Sequence, residues 1–108
     1  MSETKREYVL ANKPNLKGVD LSNSDLSGLD LSWVNLERAN LKNANLTDTD
    51  LSDSNLLNAC LEEATLTRTC LNGSLWVGLD LAGAIFTDVE MSSYDKEDII
   101  SRGGIIND

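Results

Sequence analysis

The chain contains no histidine among its 108 residues. Without imidazole it lacks the commonest general base and the commonest metal ligand. Cations are also few, with 9 Lys and Arg against 18 Asp and Glu, a net charge of −9. A surface this acidic does not grip nucleic acid by neutralising phosphates. There are two Cys, one Pro and only five aromatic residues (two Trp, two Tyr and one Phe), so any core must be aliphatic. No apolar run approaches the ~20 residues that span a bilayer, and no membrane role is expected. The opening stretch Met1-Ser-Glu-Thr-Lys-Arg-Glu-Tyr has no apolar segment after its charges, so a secretory signal is not expected either. The expectation is a cytoplasmic protein, whether the chain is whole or a piece of a longer one.

What the chain has in abundance is leucine at a fixed spacing. Leu stands at 16, 21, 26, 31, 36, 41, 46, 51, 56, 61, 66 and 71, and the same register continues through Trp76, Leu81, Phe86 and Met91. These sixteen centre positions run without insertion or deletion. The residue two before each centre is small or modest in size, as in Ser24, Ala39, Thr49 and Ala84. The residue just before it is mostly Asn or Asp, as in Asp20, Asn40 and Asp80.

A period of five suits neither regular element. On a helix each Leu would lie ~140° from the last, and no face would be buried. On a straight strand an odd spacing sends successive leucines to opposite faces. The pattern works only if the chain bends once per repeat. Asn, Asp, Gly and Ser flank the leucines, and these are residues that tolerate turn dihedrals or bond to nearby backbone. The chain must then coil, with stacked coils pairing at the ~4.8 Å spacing of strands.

Ala39-Asn40-Leu41 and Ala44-Asn45-Leu46 match the A-(D/N)-L-x-x motif, with Ala84-Ile85-Phe86 a looser version. The chain resembles the pentapeptide repeat family over residues 14–93. That resemblance implies an all-β solenoid, a right-handed quadrilateral β-helix with four repeats per coil, hence about four coils. Short helical caps are expected at one or both ends. Residues 1–13 would form an N-terminal cap, 14–93 the sixteen repeats, and 94–108 a C-terminal cap or tail. Thr4 to Glu7 read as a capping box, with Tyr8, Val9 and Leu10 covering the first coil and Pro14 ending the helix. Asp95 to Arg102 could form one or two helical turns ended by Gly103 and Gly104, leaving Ile105 and Ile106 as a terminal apolar pair. Cys60, Thr65, Cys70, Leu75 and Ile85 replace the expected Asn or Asp.

Twenty residues per coil would sort the surface into four faces. One carries Lys17, Glu37 and Arg38 together with outward apolar residues Leu57, Leu75 and Val77, and Trp33 sits at the corner leading into it. A contiguous apolar patch of this kind marks an interface, so Trp33, Leu57, Leu75 and Val77 form the candidate partner face. The opposite extreme is an acidic face with Asp30, Asp50, Asp53 and Glu90. Stacking of Asp30 on Asp50 could raise a pKa or hold a cation, although solvated turn residues are the plainer reading. Cys60 and Cys70 fall on opposite sides of a four-sided coil, beyond the ~7 Å a disulfide allows, and read as free thiols.

Catalytic, cofactor and metal sites are not expected: no group stands ready to activate the many Ser and Thr hydroxyls, and neither phosphate-loop nor Cys/His metal spacing occurs. The expected function is a non-enzymatic structural or protein-interaction module with a protein partner, with homodimerisation through the C-terminal coil or the apolar face a further possibility. The alternative, suggested by the resemblance, is a DNA mimic that binds a type II topoisomerase such as gyrase. Four coils give a rod of ~19 Å, and the net charge of −8 on residues 14–93 is one per ~2.4 Å, against ~1.7 Å for duplex DNA.

Overall fold

The structure is a computed structural model and describes residues 4–107, the side chain of Tyr94 excepted. Residues 1–3 of the expected N-terminal segment and Asp108 of the C-terminal one lie outside the described residues. The elements in chain order are α1 (Lys5–Asn12), β1 (Thr65–Thr67), β2 (Ile85–Thr87), α2 (Ser93–Ser101) and β3 (Ile105–Asn107). Most of the chain between α1 and α2 is a succession of turns joined by single parallel bridges.

Each repeat turns in the same way. In most repeats the N–H three residues after the centre donates to the centre carbonyl, as Ala39 N does to Leu36 O at 2.9 Å. The second residue after the centre is left-handed at every repeat from Gly18 to Asp88, including Trp33 (φ 61°), Arg38 (φ 60°) and Glu63 (φ 58°). The Asn or Asp before the centre closes the corner from outside: Asp20 Oδ1 accepts the Ser22 N–H at 3.0 Å, and Asn40 Oδ1 accepts that of Lys42 at 3.0 Å. These are Asx turns, which is why Asn and Asp occupy that position.

The corners stack with an offset of twenty residues. Asn15 pairs with Asn35, Asp20 with Asn40, Asp25 with Asn45 and Asp30 with Asp50, and the ladder continues to Cys60 with Asp80. Strands β1 and β2 carry the same offset, pairing Leu66 with Phe86. The core is deeper than a single ladder of centre residues. Leu16 to Leu66 are fully buried, and so are most residues two before each centre, including Ala39, Thr49, Ser54 and Ala64. Small size at that second position is what lets four sides close around a packed interior. The buried hydroxyls are satisfied by carbonyls of the wall, Thr49 Oγ1 donating to Leu26 O and Thr69 Oγ1 to Leu46 O.

Hydrogen bonding gives the stack a direction. In each repeat two N–H groups point to the following coil, as Leu16 N to Asn35 O (2.9 Å) and Gly18 N to Glu37 O (2.8 Å). One points back, as Asn35 N to Pro14 O (2.8 Å). The first coil therefore exposes carbonyls at its leading end, and cations from the N-terminal segment meet them. Lys5 Nζ donates to Ser22 O, Arg6 Nη1 to Asp25 O and Ser27 O, and Lys13 Nζ to Asp30 O. Helix α1 starts at the expected capping box, with Thr4 and Glu7 bonded reciprocally. Of the three residues expected to cover the first coil only Val9 is buried, while Tyr8 and Leu10 are exposed.

At the far end Ser92 caps α2, its hydroxyl accepting the Asp95 N–H at 3.1 Å, and the helix places Ile99 in the core. Arg102 reaches back to the Trp76 and Leu79 carbonyls at 3.1 and 3.2 Å while its Nε binds Asp98 at 3.0 Å. The expected terminal apolar pair Ile105 and Ile106 belongs to β3, parallel to β2, with Ile105 opposite Ile85 and Ile106 opposite Phe86. Ile106 falls fifteen residues after Met91 and so stays on the five-residue register. The return is tight: a Cβ on Gly104 would lie 2.5 Å from Ile99 Cγ2, and one on Gly103 (φ +90°) 3.1 Å from Ala82 Cα.

Candidate partner-binding face

The column that begins with Lys17 and Glu37 ends with Leu57 and Val77. Lys17 Nζ binds Glu37 Oε2 at 3.1 Å. One coil on, Leu57 is half-buried; beyond it Val77 is 73% exposed. The rungs are joined by the main chain, Arg38 N donating to Leu57 O and Asn58 N to Val77 O, each at 2.9 Å. Beside them Leu75 pairs with Asn55 and is 52% exposed. The structure thus brings Leu57, Leu75 and Val77 together on neighbouring rungs, and the face becomes more apolar toward the C-terminal end.

Trp33 stands apart from these three. It heads the column of Asp53 and Gly73, two rungs or about 10 Å before Leu75. It is 74% exposed and sits in the left-handed region, a conformation that bulky side chains disfavour. Its N–H is nonetheless fully used, donating to Ser52 O at 3.0 Å.

The acidic residues divide. Asp30 is stacked on Asp50, and each accepts both the N–H and the hydroxyl of the serine two residues on, Ser32 and Ser52. The stacking does not raise Asp30. The Ser32 hydroxyl, then the Ser32 N–H, and after them the Lys13 charge hold its carboxyl below the ordinary range. Asp53 lies on the adjacent corner with its carboxylate over Gly73. Glu90 leaves the ladder: no bridge joins it to Cys70 among the described residues, and it lines a cleft beside Leu71.

Cys60 and Cys70 are free thiols. A cluster with no signature in the five-residue spacing joins Cys60, Glu62 and Asp80, whose ligand atoms lie within 4.8 Å of one another. Stacking by twenty places Cys60 against Asp80. Two of these three groups have partners already, since Asp80 accepts the Ala82 N–H at 3.0 Å and Glu62 faces Lys42 Nζ at 3.9 Å. Among the described residues no helix is long and apolar enough to cross a membrane.

The twenty-residue stacking and the corner chemistry agree with a match to the family model for pentapeptide repeats over residues 14–53, 30–68 and 59–93. The chain belongs to the pentapeptide repeat family. Members of this family adopt the right-handed quadrilateral β-helix. Among solved structures the chain is similar to a pentapeptide repeat protein from Nostoc PCC 7120, with 27% identity, a TM-score of 0.59, and coverage of 95% of this chain and 93% of that one. It is also similar in fold to the pentapeptide repeat protein Rfr23 from the cyanobacterium Cyanothece 51142, with 21% identity, a TM-score of 0.55, and coverage of 93% and 92%. No curated protein matches the chain. The outward side chains are those that neither the packed interior nor the corner geometry restricts, and here they include Leu57, Leu75 and Val77.

Proposed function

We propose that the protein is a non-enzymatic interaction module. In this reading about four coils, capped by α1 and α2, form a rigid support that offers Leu57, Leu75 and Val77, with Trp33 nearby, to a protein partner. The observation that carries the reading is the run of outward apolar side chains on adjacent rungs, ending in Val77 at 73% exposure. Such a patch costs solubility and is retained where it is covered by a partner. Trp33 adds to it, because a bulky residue held in a left-handed turn is a strained choice on a surface where Asn or Gly would serve. Free Cys60 and Cys70 fit a reducing compartment such as the cytoplasm.

The test is capture of the partner by the wild-type chain and by Val77→Asp, Leu57→Asp and Trp33→Ala. Loss of capture in the Val77→Asp chain, with its thermal midpoint kept, is the expected result. Capture unchanged in all three would end this reading.

Mimicry of duplex DNA toward gyrase fits less well. The molecule is 44 Å long and 21 by 20 Å across. A net charge of −9 along 44 Å is one charge in about 5 Å, roughly threefold sparser than the ~1.7 Å of duplex DNA and sparser than the ~2.4 Å expected of a bare four-coil rod. Inhibition or protection of gyrase supercoiling at micromolar protein would restore it.

A further inference from the structure

The coil that runs from Leu71 to Leu79 lacks a following rung where α2 departs. Earlier in the stack Leu51 N donates to Cys70 O (2.8 Å), Asp53 N to Asn72 O (2.8 Å) and Leu56 N to Leu75 O (3.0 Å). The residues twenty further on are Leu71, Gly73 and Trp76. Among the described residues none of their N–H groups has an acceptor. Their place in the register directs these donors toward the C-terminal end of the solenoid. The chain that would have met them splays away at Val89 to Met91 and becomes α2, leaving a cleft of about 290 Å³ between the two.

The walls of this cleft are chemically one-sided. Glu90, Asp95 and Asp98 line it, and no Lys or Arg does. Asp98 is occupied by Arg102, whereas Glu90 and Asp95 form no ion pair among the described residues. The floor is apolar: Leu71 is less buried than the centre leucines from Leu16 to Leu66, and Trp76, Val89 and Met91 are half-buried. An unpaired backbone edge is a template for an added strand, and the carboxylates select its charge.

We propose that this cleft receives a basic peptide segment of a partner protein, bent once alongside the Gly73 corner, as an additional rung of the solenoid. Its carbonyls accept the Leu71, Gly73 and Trp76 N–H groups at the ~4.8 Å rung spacing. A Lys or Arg side chain meets Glu90 and Asp95, and an apolar neighbour rests on Leu71 and Met91. The site lies off the face of Leu57, Leu75 and Val77 and does not depend on it.

The probe is a synthetic, end-blocked peptide of alternating lysine and valine, with glutamate in place of lysine in the control peptide, titrated into the full chain and followed by amide NMR spectra and hydrogen exchange. The lysine peptide is expected to shift the Leu71, Gly73 and Trp76 amides and slow their exchange, and the glutamate peptide to leave them unmoved. The Glu90→Gln/Asp95→Asn double variant should weaken binding about tenfold, and Asp30→Asn, which removes charge elsewhere, should not. Shifts that are absent, that spread over the Asp30 and Asp50 side, or that survive Glu90→Gln/Asp95→Asn overturn the proposal. Shifts centred on Leu57 and Val77 overturn it too, and would support the apolar face instead.

Discussion

Ile106 lies opposite Phe86 in parallel register, although a nine-residue helix separates it from the last turn of the repeat. The chain leaves the solenoid at Met91, crosses its end as α2, and returns on the same five-residue count. Gly104 makes the return possible, because its missing side chain leaves room for Ile99 against the end of the core. Gly104→Ala would press a methyl to within 2.5 Å of Ile99 Cγ2 and 3.0 Å of Ile99 O. It should destabilise the fold by about 1–3 kcal/mol, as overpacking does. Urea unfolding measures this, and an unchanged midpoint would contradict the packing described.

The left-handed turn residues invite the opposite change. Glu63 and Trp33 occupy backbone conformations that cost a bulky L-residue about 1 kcal/mol and that Asn tolerates. Glu63→Asn and Trp33→Asn should each raise stability by up to that amount. Only Trp33→Asn should also weaken partner binding. A stabilising Trp33→Asn that binds as well as wild type would show that the tryptophan is incidental.

The interior should respond as a packed core. Leu46 is fully buried, so Leu46→Ala should cost about 3 kcal/mol. Leu57→Ala removes a half-buried side chain from the surface and should cost less than about 1 kcal/mol. Comparable losses at the two sites, measured by chemical denaturation, would mean that Leu57 is structural rather than available to a partner.

Acid should loosen the corners. Asp20, Asp25 and Asp30 are held below their ordinary values mainly by serine hydroxyls, Glu37 by Lys17 and Asp48 by Arg68. Carboxyls with depressed folded-state values stabilise the fold above the unfolded carboxylate range and lose that contribution as protons bind in the folded state. Stability should therefore be flat from neutrality to about pH 5 and fall below about pH 4. Ser32→Ala, which keeps the backbone N–H bond, should bring Asp30 part of the way back up toward the ordinary value in an NMR titration of its carboxyl, and no movement would show that the Ser32 hydroxyl is not its cause.

Much of the solenoid is legible in one dimension because each repeat solves the same local problem. Centre leucines must face inward, the small residue two before must fit beside them, and the Asn or Asp between must close the corner. Those demands recur every five residues and need no knowledge of distant partners, so the repeats, the capping box at Thr4 and the free thiols can all be read from the chain. The left-handed residue is harder to see, since Gly18 and Asn43 advertise it while Trp33, Arg38 and Glu63 conceal it. Their conformation is imposed by hydrogen bonds to a coil twenty residues away.

What the chain could not disclose is how the stack ends. The departure of α2 from the stack, the return of Ile106 beside Phe86, the placement of Lys5, Arg6 and Lys13 on exposed carbonyls, and the departure of Glu90 from its column all depend on which backbone groups remain unpaired once the coils are stacked. Period and composition specify a repeating unit through local sterics and burial. The termini of a repeating hydrogen-bond network have no local signature, and only the assembled stack shows which donors and acceptors are left over and what has come to meet them.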